Sequence, residues 1–316
     1  MEPGVVGRFA PTPSGRLHLG NLFCALLAWL SARSAGGRMV LRIEDLDPAR
    51  SRKEYADRLE QDLRFLGLDW DEGGSRGGPH PPYYQQECTQ RYAALLDRLG
   101  AQGLVYPCFC TRAELHAADA PHAADGEPVY DGRCRGLSPA EAEERSRVRA
   151  PALRLRVPEE TIAFTDGHYG PVRQFLPSEC GDFILRRSDG VFAYQLAVVA
   201  DDAAMEITQV VRGRDLLLST PRQLLLYRLL GLTPPRFFHT PLLLAPDGRR
   251  LSKRDRDLSL DALRKRGLDA PDIVGRLAFA AGLIDRPEPA TPRELIPRFC
   301  WDRIPREDVR LPRELF

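Results

Sequence analysis

The chain has 316 residues, of which 43% are hydrophobic and 28% charged, and its formal net charge is only +1. These values are typical of a soluble globular protein with one large domain and an insertion, or with two domains, and the charge favours no particular partner. The unbroken apolar run at residues 23–30 is too short to span a bilayer and does not follow a basic start. We therefore exclude a membrane protein and a signal peptide, and expect a cytoplasmic protein.

Lysine is unusually rare in this chain, and the number of cysteines is informative. Only three of the 45 basic residues are lysines, which a GC-rich coding genome explains, with phosphate recognition by arginine as the alternative. The seven cysteines are an odd number in an apparently cytosolic chain, which argues against a disulfide framework. Four of them are scattered and predicted to be small core residues: Cys24, Cys88, Cys180 and Cys300.

The N-terminal part of the chain alternates strands and helices. Residues 5–9 form a predicted strand, which a turn rich in proline and glycine follows. Apolar residues then recur at helical spacing from Leu19 to Leu30, and Gly36-Gly37 ends this helix. Residues 38–43 form the next predicted strand. This order is typical of the start of a doubly wound parallel sheet.

The composition changes between residue 107 and about residue 180, where cysteine, proline, glycine and charged residues dominate. We interpret this segment as an insertion with a helical patch at residues 139–147. Alternating α/β order resumes with residues 192–199 and a predicted strand at residues 207–211.

The last part of the chain contains three further signals. The triplet Ser219-Thr220-Pro221 predicts the N-cap of a helix that ends at Gly231. A hairpin with its turn at Asp247-Gly248 follows, and then a charged loop at residues 249–257. Residues 258–316 are predicted to be helical and polar, broken by prolines.

The turn between the first predicted strand and helix, residues 11–21, is a candidate anion site. A helix N-terminus at this place presents backbone N–H groups to a phosphate. Gly20 would permit the close approach of a flat ring, while His18 and Asn21 could donate hydrogen bonds to phosphate oxygens. A structural histidine is the alternative, and this segment alone does not decide between them.

A second candidate segment follows the predicted hairpin and is basic: Arg250-Leu251-Ser252-Lys253-Arg254. Three cations beside a hydroxyl group suit a clamp on a polyphosphate whose charge develops in the transition state. A solvated basic loop is the commoner explanation for such a run when it is considered alone.

Three cysteines cluster as Cys108, Cys110 and Cys134. They could supply three thiolates of a closed, tetrahedral, structural zinc site. Ligand chemistry alone nominates His116 or His122 as the fourth ligand, and a loop with free thiols is the alternative to a metal site.

The two candidate segments, residues 11–21 and 250–254, together resemble the two signatures of class I aminoacyl-tRNA synthetases. Residues 18–21 (HLGN) stand in the place of the first signature, and residues 250–254 (RLSKR) in the place of the second. Further blocks in the same order are similar to glutamyl-tRNA synthetases: residues 8–15 (RFAPTPSG), 41–47 (LRIEDLD) and 210–213 (VVRG). The resemblance extends from residue 5 to about residue 265.

This resemblance implies two sets of site residues. The glutamate-binding set is Arg8, Ala10, Thr12, Glu44, Tyr194 and Arg212, with the arginines on carboxylates and the glutamate on the α-ammonium group. The ATP-binding set is Pro11, His18, Gly20, Asn21, Leu251, Ser252 and Lys253. His18 and Lys253 would be catalytic, because they would stabilise the phosphates as the amino-acid carboxylate attacks the α-phosphorus.

Two positions depart from the family pattern. Arg250 replaces the first lysine of the second signature, so the charge is kept but the compact ammonium group is lost. Arg214 stands where the family often has an acidic residue. Neither departure removes the catalytic set.

Only 62 residues follow Arg254, which suits a small helical subdomain but not the anticodon-reading domains of full-length relatives. This architecture resembles the glutamyl-Q tRNA(Asp) synthetases. So does the pattern Cys-x-Cys followed by Tyr-x-x-x-Cys, which implies Tyr130 as the fourth ligand of one structural zinc ion.

The resemblance implies that ATP, with Mg²⁺, activates L-glutamate without tRNA, and that the glutamyl group is transferred to queuosine in the anticodon of tRNA(Asp). We expect a monomer with no membrane partner. The alternatives are a minimal glutamyl-tRNA synthetase that charges a tRNA 3′ end, a non-catalytic RNA-binding paralogue, and a nucleotidyltransferase acting on a small molecule.

We therefore predict an α/β fold with a doubly wound parallel, Rossmann-like nucleotide-binding core, a zinc-bearing insertion and a small C-terminal helical subdomain. Residues 1–106 would form the first half of the core, and residues 107–190 the insertion that carries the zinc site and faces the acceptor. Residues 191–238 would form the second half of the core. Residues 239–316 would form the signature loop and the helical subdomain, with no anticodon-binding domain.

Overall fold

A computed structural model describes residues 4–49, 51–111, 113–114, 129–251, 258–312 and 315–316. Its strands are β1 (Val6–Phe9), β2 (Arg38–Leu41), β3 (Glu72–Gly73), β4 (Val105–Cys108), β5 (Ala152–Leu155), β6 (Thr161–Asp166), β7 (Gly170–Phe175), β8 (Ile184–Arg186), β9 (Gln209–Gly213), β10 (Arg236–Thr240), β11 (Leu243–Leu244) and β12 (Val309–Arg310). Its helices are α1 (Leu19–Ser34), α2 (Lys53–Phe65), α3 (Thr89–Ala101), α4 (Pro139–Val148), α5 (Leu176–Glu179), α6 (Tyr194–Ala204), α7 (Thr220–Leu229), α8 (Leu260–Lys265), α9 (Ala270–Ala280) and α10 (Pro292–Leu295). Within these described ranges, no helix combines the length and apolarity that a membrane span requires.

The centre of the fold is a five-stranded sheet in the order β10-β9-β1-β2-β3, in which every neighbouring pair is parallel. The chain moves outward from β1 to β2 and β3, and later returns to the other side of β1 with β9 and β10. Connections that leave a central strand in opposite directions open a crevice at the carboxyl edge of the sheet, which is where doubly wound folds bind ligands. The predicted doubly wound parallel core is confirmed.

Side chains of the central strands alternate between two hydrophobic clusters, one on each face of the sheet. In β2, Leu41 belongs to the cluster that contains α1 and α9, whereas Val40 belongs to the cluster that contains α3, α6 and α7. In β9, Val211 and Val210 alternate in the same way. Because both faces are covered by helices, apolar residues stand side by side in β2 and β9 instead of alternating with polar ones.

Helix α1 lies between the sheet and the C-terminal helices, since it contacts β1 and β9 as well as α9. His18 caps its N-terminus with a reciprocal pair of hydrogen bonds to Gly20 and Asn21. The helix ends at Ser34, and the chain turns at Gly36, whose φ is +66°, before it enters β2. The predicted strand, helix and strand are all present at the expected places.

Between β3 and β9 the chain leaves the central sheet. Strands β4, β5 and β8 form an antiparallel three-stranded sheet, while β6 and β7 form a separate hairpin. Helix α4 confirms the predicted helical patch and is not buried at any residue. Its N-cap, Ser138, forms a capping box with Glu141, which explains why so polar a segment is helical.

The segment from residue 258 contains the helices α8, α9 and α10, but it also includes the strand β12 and buries apolar residues in the core. Helix α9 buries Ile273, Val274 and Leu277 in the same cluster as α1, because its apolar residues fall on one face. Strand β12 pairs in parallel with β11 and so ties the end of the described chain to the region after β10. The predicted helical subdomain, and the boundaries after residues 106, 190 and 238, stay predictions.

Two turn predictions had different outcomes. The hairpin turn at Asp247-Gly248 is confirmed, since Gly248 has a φ of +84° and the Ala245 N–H donates to the Arg249 carbonyl oxygen at 2.8 Å. Ser219 does precede α7, but its side chain makes no capping hydrogen bond. The reason is that its backbone is already helical, in a 3₁₀ segment that continues directly into α7.

The scattered cysteines are not all core residues. Cys88 and Cys180 are buried, as predicted, whereas Cys300 is exposed and Cys24 is only partly buried beside the cleft described below. Burial of Cys24 near that cleft raises the pKa of its thiol to about 11. All seven cysteines are free thiols.

Candidate active site

A cleft of about 490 Å³ lies at the carboxyl edge of the central sheet, where β1 and β9 end and α1 begins. All the predicted substrate-binding residues within the described ranges line this cleft: Arg8, Ala10, Pro11, Thr12, His18, Gly20, Asn21, Glu44, Tyr194, Arg212 and Leu251. The fold thus brings together residues from widely separated parts of the chain. Ser252 and Lys253, which complete the predicted set, lie outside the described residues.

His18 lies at one end of the cleft as the N-cap of α1. Its Nδ1 accepts a hydrogen bond from the Gly20 N–H at 3.1 Å, so in the neutral ring the proton is on Nε2. The Asn21 Oδ1 accepts from the His18 N–H at 3.3 Å, which leaves the amide N–H₂ as a donor. The partial positive charge of the helix N-terminus adds to these donors. This end of the cleft therefore suits an anionic group.

The structure gives a reason for glycine at position 20 that the sequence did not show. A Cβ at this position would lie 3.1 Å from two atoms of the His18 ring. The glycine therefore makes room for the histidine that caps the helix, in addition to any role it has toward a ligand.

Both flanks of the second signature lie close to the first. Arg250, the first residue of the second signature, forms an ion pair with Asp215. Asp215 follows β9 and also lines the cleft. Ser259, beyond the other flank, pairs with His18 through an isolated antiparallel bridge. The residues just beyond the second signature therefore lie next to the end of the cleft that suits an anion.

The two departures from the family pattern have structural partners. Arg250 keeps a positive charge at the cleft, and its guanidinium forms an ion pair with Asp215. The guanidinium of Arg214 points elsewhere, because its Nε lies 3.3 Å from Asp308 in the C-terminal segment. Arg214 therefore anchors the end of the chain against the core.

A buried network of charges lies behind the part of the cleft that Arg8 and Glu44 line. The Arg42 guanidinium, which is fully buried, donates to Asp202 and, at 3.1 Å, to the Glu44 carboxylate. The Arg8 Nε lies 3.5 Å from the same Asp202 carboxylate. Burial raises the pKa of Glu44, although the charges of Arg42 and Arg8 act against that rise. The Arg42 and Glu44 side chains at this strand end therefore form a buried pair that orients Glu44.

A third arginine, Arg212, faces this network from the end of β9. The Arg212 NH1 lies 3.5 Å from the Tyr194 hydroxyl group, and both residues line the cleft. Burial lowers the pKa of Arg212 and raises that of Tyr194, and the neighbouring charge of Arg8 adds to the effect on Arg212. Two guanidinium groups and a hydroxyl group in one place form a site suited to a carboxylate.

A second cleft of about 540 Å³ adjoins the first. It is lined by Thr12, Ser14, Glu44, Leu46, Asp47, Gln85 and Tyr194, of which the first three and the last also line the main cleft. Gln85 is completely buried and donates to Asp201 at 2.9 Å, while its Oε1 has no hydrogen-bond partner among the described residues. Asp47 lies 3.7 Å from Arg187. The second cleft therefore offers oxygen acceptors next to Glu44.

The predicted metal ligands lie together at the end of β4. Three thiols have their sulfur atoms within 4.8 Å of one another and could hold a metal ion: Cys108, Cys110 and Cys134. The Tyr130 hydroxyl group lies 3.5 Å and 3.7 Å from the first two sulfurs and accepts the N–H of the third cysteine at 2.9 Å. The Arg154 guanidinium lies 3.8 Å above the Tyr130 ring. The two histidines considered as alternative ligands, His116 and His122, lie outside the described residues.

Several residues of the site were not identified from the sequence. They are Arg42, Asp166, Asp201, Asp202, Asp215 and His239. A signal was present for two of these residues, because Asp201 and Asp202 follow an apolar run inside a helix that is otherwise buried. Buried carboxylates need partners, so adjacent acids in such a helix indicate buried cations nearby.

The sequence matches one family model, described as tRNA synthetases class I (E and Q), catalytic domain, over residues 4–279. Among solved structures, a glutamate tRNA ligase from Elizabethkingia meningosepticum in complex with its amino acid is similar, with a TM-score of 0.86 and 28% identity. That match covers 99% of this chain and 68% of the ligase chain. The fold, the cleft and the family match show that the chain belongs to the class I tRNA synthetases.

The curated relatives narrow this class. The glutamyl-Q tRNA(Asp) synthetase of Symbiobacterium thermophilum is 57% identical over 98% of this chain and 96% of its own length, and that of Nitratidesulfovibrio vulgaris is 51% identical with the same coverage. The glutamate–tRNA ligase of Sulfurihydrogenibium sp. is 43% identical over 86% of this chain, but only 57% of the ligase is covered. Within the class, the chain belongs to the family of glutamyl-Q tRNA(Asp) synthetases.

Proposed function

We propose that the chain activates L-glutamate with ATP to glutamyl-adenylate without tRNA, and then transfers the glutamyl group to queuosine in the anticodon of tRNA(Asp). The observation that carries this proposal is the single cleft that His18, Glu44, Tyr194 and the two arginines, Arg8 and Arg212, line together. In the first step a carboxylate oxygen of glutamate attacks the α-phosphorus, and pyrophosphate leaves. In the second step a hydroxyl group of the queuosine cyclopentenediol attacks the carbonyl carbon, and AMP leaves.

The cationic part of the cleft would bind glutamate. Arg8 and Arg212 would hold the side-chain carboxylate, or share the two carboxylates of the substrate, through charge-assisted hydrogen bonds. Glu44, which Arg42 holds by a 3.1 Å hydrogen bond, would bind the α-ammonium group. Tyr194 would add a hydrogen bond. Ala10 and Thr12 complete the proposed glutamate set.

The end of the cleft at α1 would bind ATP. The His18 Nε2–H would donate to a phosphate oxygen, and Lys253 would approach from the second signature, so that both stabilise the charge that develops on the phosphates. Mg²⁺ bound with ATP would neutralise part of that charge. The remaining members of the proposed ATP set are Pro11, Gly20, Asn21, Leu251 and Ser252.

The second cleft is the proposed entry for the acceptor. It shares Glu44 and Tyr194 with the glutamate pocket, so a hydroxyl group held there lies beside the amino acid. Asp47 offers carboxylate oxygens to a diol that donates hydrogen bonds. RNA loops with unstacked bases are the usual targets of specific recognition, and an anticodon loop presents such a base.

A structural zinc ion is the proposed occupant of the thiol cluster. In a tetrahedral site with Zn–S bonds of about 2.3 Å, two sulfurs are separated by roughly 3.8 Å. Cys110 and Cys134 have their sulfurs 3.7 Å apart, so the cluster fits the ion. Cys108 and Tyr130 would complete the set, and the positive charge of Arg154 would offset the anionic ligands. Zinc would brace the segment between β4 and β5 and takes no part in the chemistry.

The experiment is transfer of labelled glutamate to purified tRNA(Asp), with and without queuosine, alongside tRNA(Glu). Label on the queuosine-containing tRNA(Asp) alone would establish the activity and the acceptor. Label on tRNA(Glu) would instead identify a compact glutamyl-tRNA synthetase that charges a 3′ end. Pyrophosphate exchange with glutamate but without tRNA checks the first step separately, and its absence would favour a non-catalytic RNA-binding protein. Sedimentation of the same preparation tests the proposed monomer.

A further inference from the structure

Two buried side chains connect Arg212 to a hairpin that lies outside both clefts. The Asp166 Oδ2 lies 2.6 Å from the His239 Nδ1, and the His239 Nε2 lies 3.1 Å from the Arg212 Nε. The side chains of Asp166 and His239 are completely inaccessible to solvent. Neither residue lines either cleft, so neither would touch a substrate.

The chemistry of these groups determines the direction of each hydrogen bond. An arginine Nε–H can only donate, so the His239 Nε2 must accept, and the ring proton is then on Nδ1, where it donates to Asp166. The other oxygen of Asp166 accepts the N–H groups of His168 and Tyr169 at 3.0 Å and 2.9 Å. Burial lowers the pKa of His239 to about 4, and the charge of Arg212 adds to this effect, so the ring stays neutral as the geometry requires.

The same contacts restrict the orientation of the Arg212 guanidinium. Its NH2 donates to the Thr220 hydroxyl oxygen at 2.8 Å, on the side where its Nε donates to His239. Its NH1 is directed toward Tyr194, which lines the main cleft. Two of the three nitrogens are therefore held by the protein, and rotation of the group would break both of these hydrogen bonds.

The hairpin that carries Asp166 is packed closely against β10. The Gly167 N–H donates to the Phe237 carbonyl oxygen at 2.8 Å, and a Cβ at Gly167 would lie only 2.0 Å from the Phe238 ring. The glycine thus permits the approach that brings Asp166 to His239. Strands β6 and β7 belong to the segment between β3 and β9. This segment is therefore connected to Arg212 through the Asp166 carboxylate and His239.

We propose that Asp166 and His239 are positioning residues for amino-acid recognition. Asp166 selects the His239 tautomer with the proton on Nδ1, and His239 then accepts the Nε–H of Arg212, so that the guanidinium presents its NH1 group to the substrate carboxylate. This inference rests on the proposed function in one respect, namely that Arg212 contacts glutamate. Pre-orientation of a binding group lowers the entropy lost when the substrate binds.

The first test is Asp166→Asn, which keeps the size of the side chain. Because two N–H groups hold the oxygen on one side, the asparagine would place its N–H₂ against the His239 Nδ1. The ring proton would then move to Nε2 and face the Arg212 Nε–H, donor against donor. In pyrophosphate exchange we expect the KM for glutamate to rise about tenfold, with kcat and the KM for ATP within about twofold of the wild type.

A pair of substitutions at His239 supplies the matched comparison. In His239→Gln the side-chain oxygen can replace Nε2 as the acceptor for Arg212, whereas His239→Leu has no acceptor. We expect His239→Gln to keep a KM for glutamate within about threefold of the wild type, and His239→Leu to raise it by about tenfold or more. Equal KM values for two folded variants would overturn the proposal, because a purely structural histidine would not distinguish them.

Nitrogen NMR of the wild-type histidines tests the proposal independently of catalysis. The expected tautomer of His239 carries its proton on Nδ1 at neutral pH, and an Nε2–H tautomer or a charged ring would overturn the inference. Arg212→Ala separates the two proposals. If this variant leaves the KM for glutamate unchanged, the role of Arg212 in the proposed function is wrong. If it raises the KM whereas Asp166→Asn and His239→Leu do not, the positioning role alone is wrong.

Discussion

Arg42 and Asp202 are 160 residues apart in sequence, yet they form an ion pair whose side chains are 0% and 3% exposed to solvent. Arg42 comes directly after β2, and Asp202 lies in α6, so the pair joins the two parts of the chain that supply the central sheet. The same Asp202 carboxylate lies beside Arg8, and the same guanidinium holds Glu44. One carboxylate therefore neutralises two buried cations and orients the proposed ligand of the α-ammonium group.

Removal of the charge of Asp202 should weaken both the fold and glutamate binding. In Asp202→Asn two buried guanidinium groups lose their shared anion, and we expect the free energy of unfolding to fall by about 3 kcal/mol. Urea denaturation measures this loss, and pyrophosphate exchange should show a raised KM for glutamate. Glu143→Gln is the control, because it breaks an exposed pair with Arg147 and should change stability by less than about 0.5 kcal/mol. Equal stability of the two variants would contradict the buried network.

The two roles of His18 can be separated by substitution. Asparagine is a good N-cap residue, so His18→Asn should keep the helix cap, but its shorter amide cannot place an N–H where the His18 Nε2–H lies. We expect pyrophosphate exchange to fall about a hundredfold, with a loss of stability below about 0.5 kcal/mol. His18→Ala should lose the cap as well, at an additional cost of about 1 kcal/mol in thermal unfolding. Normal exchange by His18→Asn would show that the histidine acts only as a cap.

Asp47 should affect transfer but not activation, because it lines only the second cleft. For Asp47→Asn we expect glutamyl transfer to queuosine-containing tRNA(Asp) to fall about tenfold, since a charged acceptor of hydrogen bonds is replaced by a neutral amide. Pyrophosphate exchange should stay within about twofold of the wild type. Asp189→Asn is the matched control, because Asp189 also pairs with Arg187 but lines neither cleft. A loss of exchange in Asp47→Asn would place Asp47 in the activation site instead.

The metal proposal predicts one zinc ion per chain that depends on the thiol cluster. In Cys110→Ser one of the soft ligands is lost, and we expect elemental analysis to show loss of the ion and proteolysis to cleave the segment between β4 and β5 more readily. Cys300→Ser should have neither effect, because Cys300 is exposed and far from the cluster in sequence. A fully folded wild-type preparation without metal that is active would remove the proposal.

The buried histidine predicts a pH dependence of stability. The pKa of His239 is lowered to about 4, mainly by burial, so between that value and about 6.5 the unfolded chain binds a proton that the folded chain does not. Stability should therefore be complete above pH 6.5 and fall as the pH decreases toward 4. The groups that face the ring are Asp166, Arg212 and Thr220.

The measurement compares urea denaturation of the wild type and His239→Gln at pH 7.5 and pH 5. We expect the wild type to lose about 2 kcal/mol more than the variant between these two pH values, because glutamine does not titrate. In the wild type Asp166 does not titrate between these pH values, since its pKa is lowered below the usual range of an aspartate; burial acts against that shift, and the hydrogen bond from His239 produces it. Equal losses of stability in the two proteins would show that the folded His239 ring takes up its proton over the same pH range as the unfolded chain.

The sequence by itself determined the elements whose formation depends on local geometry. Apolar residues at helical spacing predicted α1, and the turn between β1 and α1 identified His18, Gly20 and Asn21 as candidates for an anion site. Cys108 and Cys110, one residue apart, were recognisable as candidate ligands because their spacing alone places two thiols together. In each case the neighbours in space are also neighbours in sequence, so backbone periodicity and turn chemistry are sufficient.

Only the tertiary structure decided which distant side chains meet. His239 is 73 residues from Asp166 and 27 from Arg212, and the contacts depend on the pairing of β9 with β10 and on the close packing of a glycine turn against β10. The burial of Arg42 likewise depends on the carboxylate that α6 supplies through Asp202. Charged side chains of this kind look like surface residues in a sequence, because local patterns carry no information on burial. They are stable inside the protein only because the fold supplies a partner for each of them.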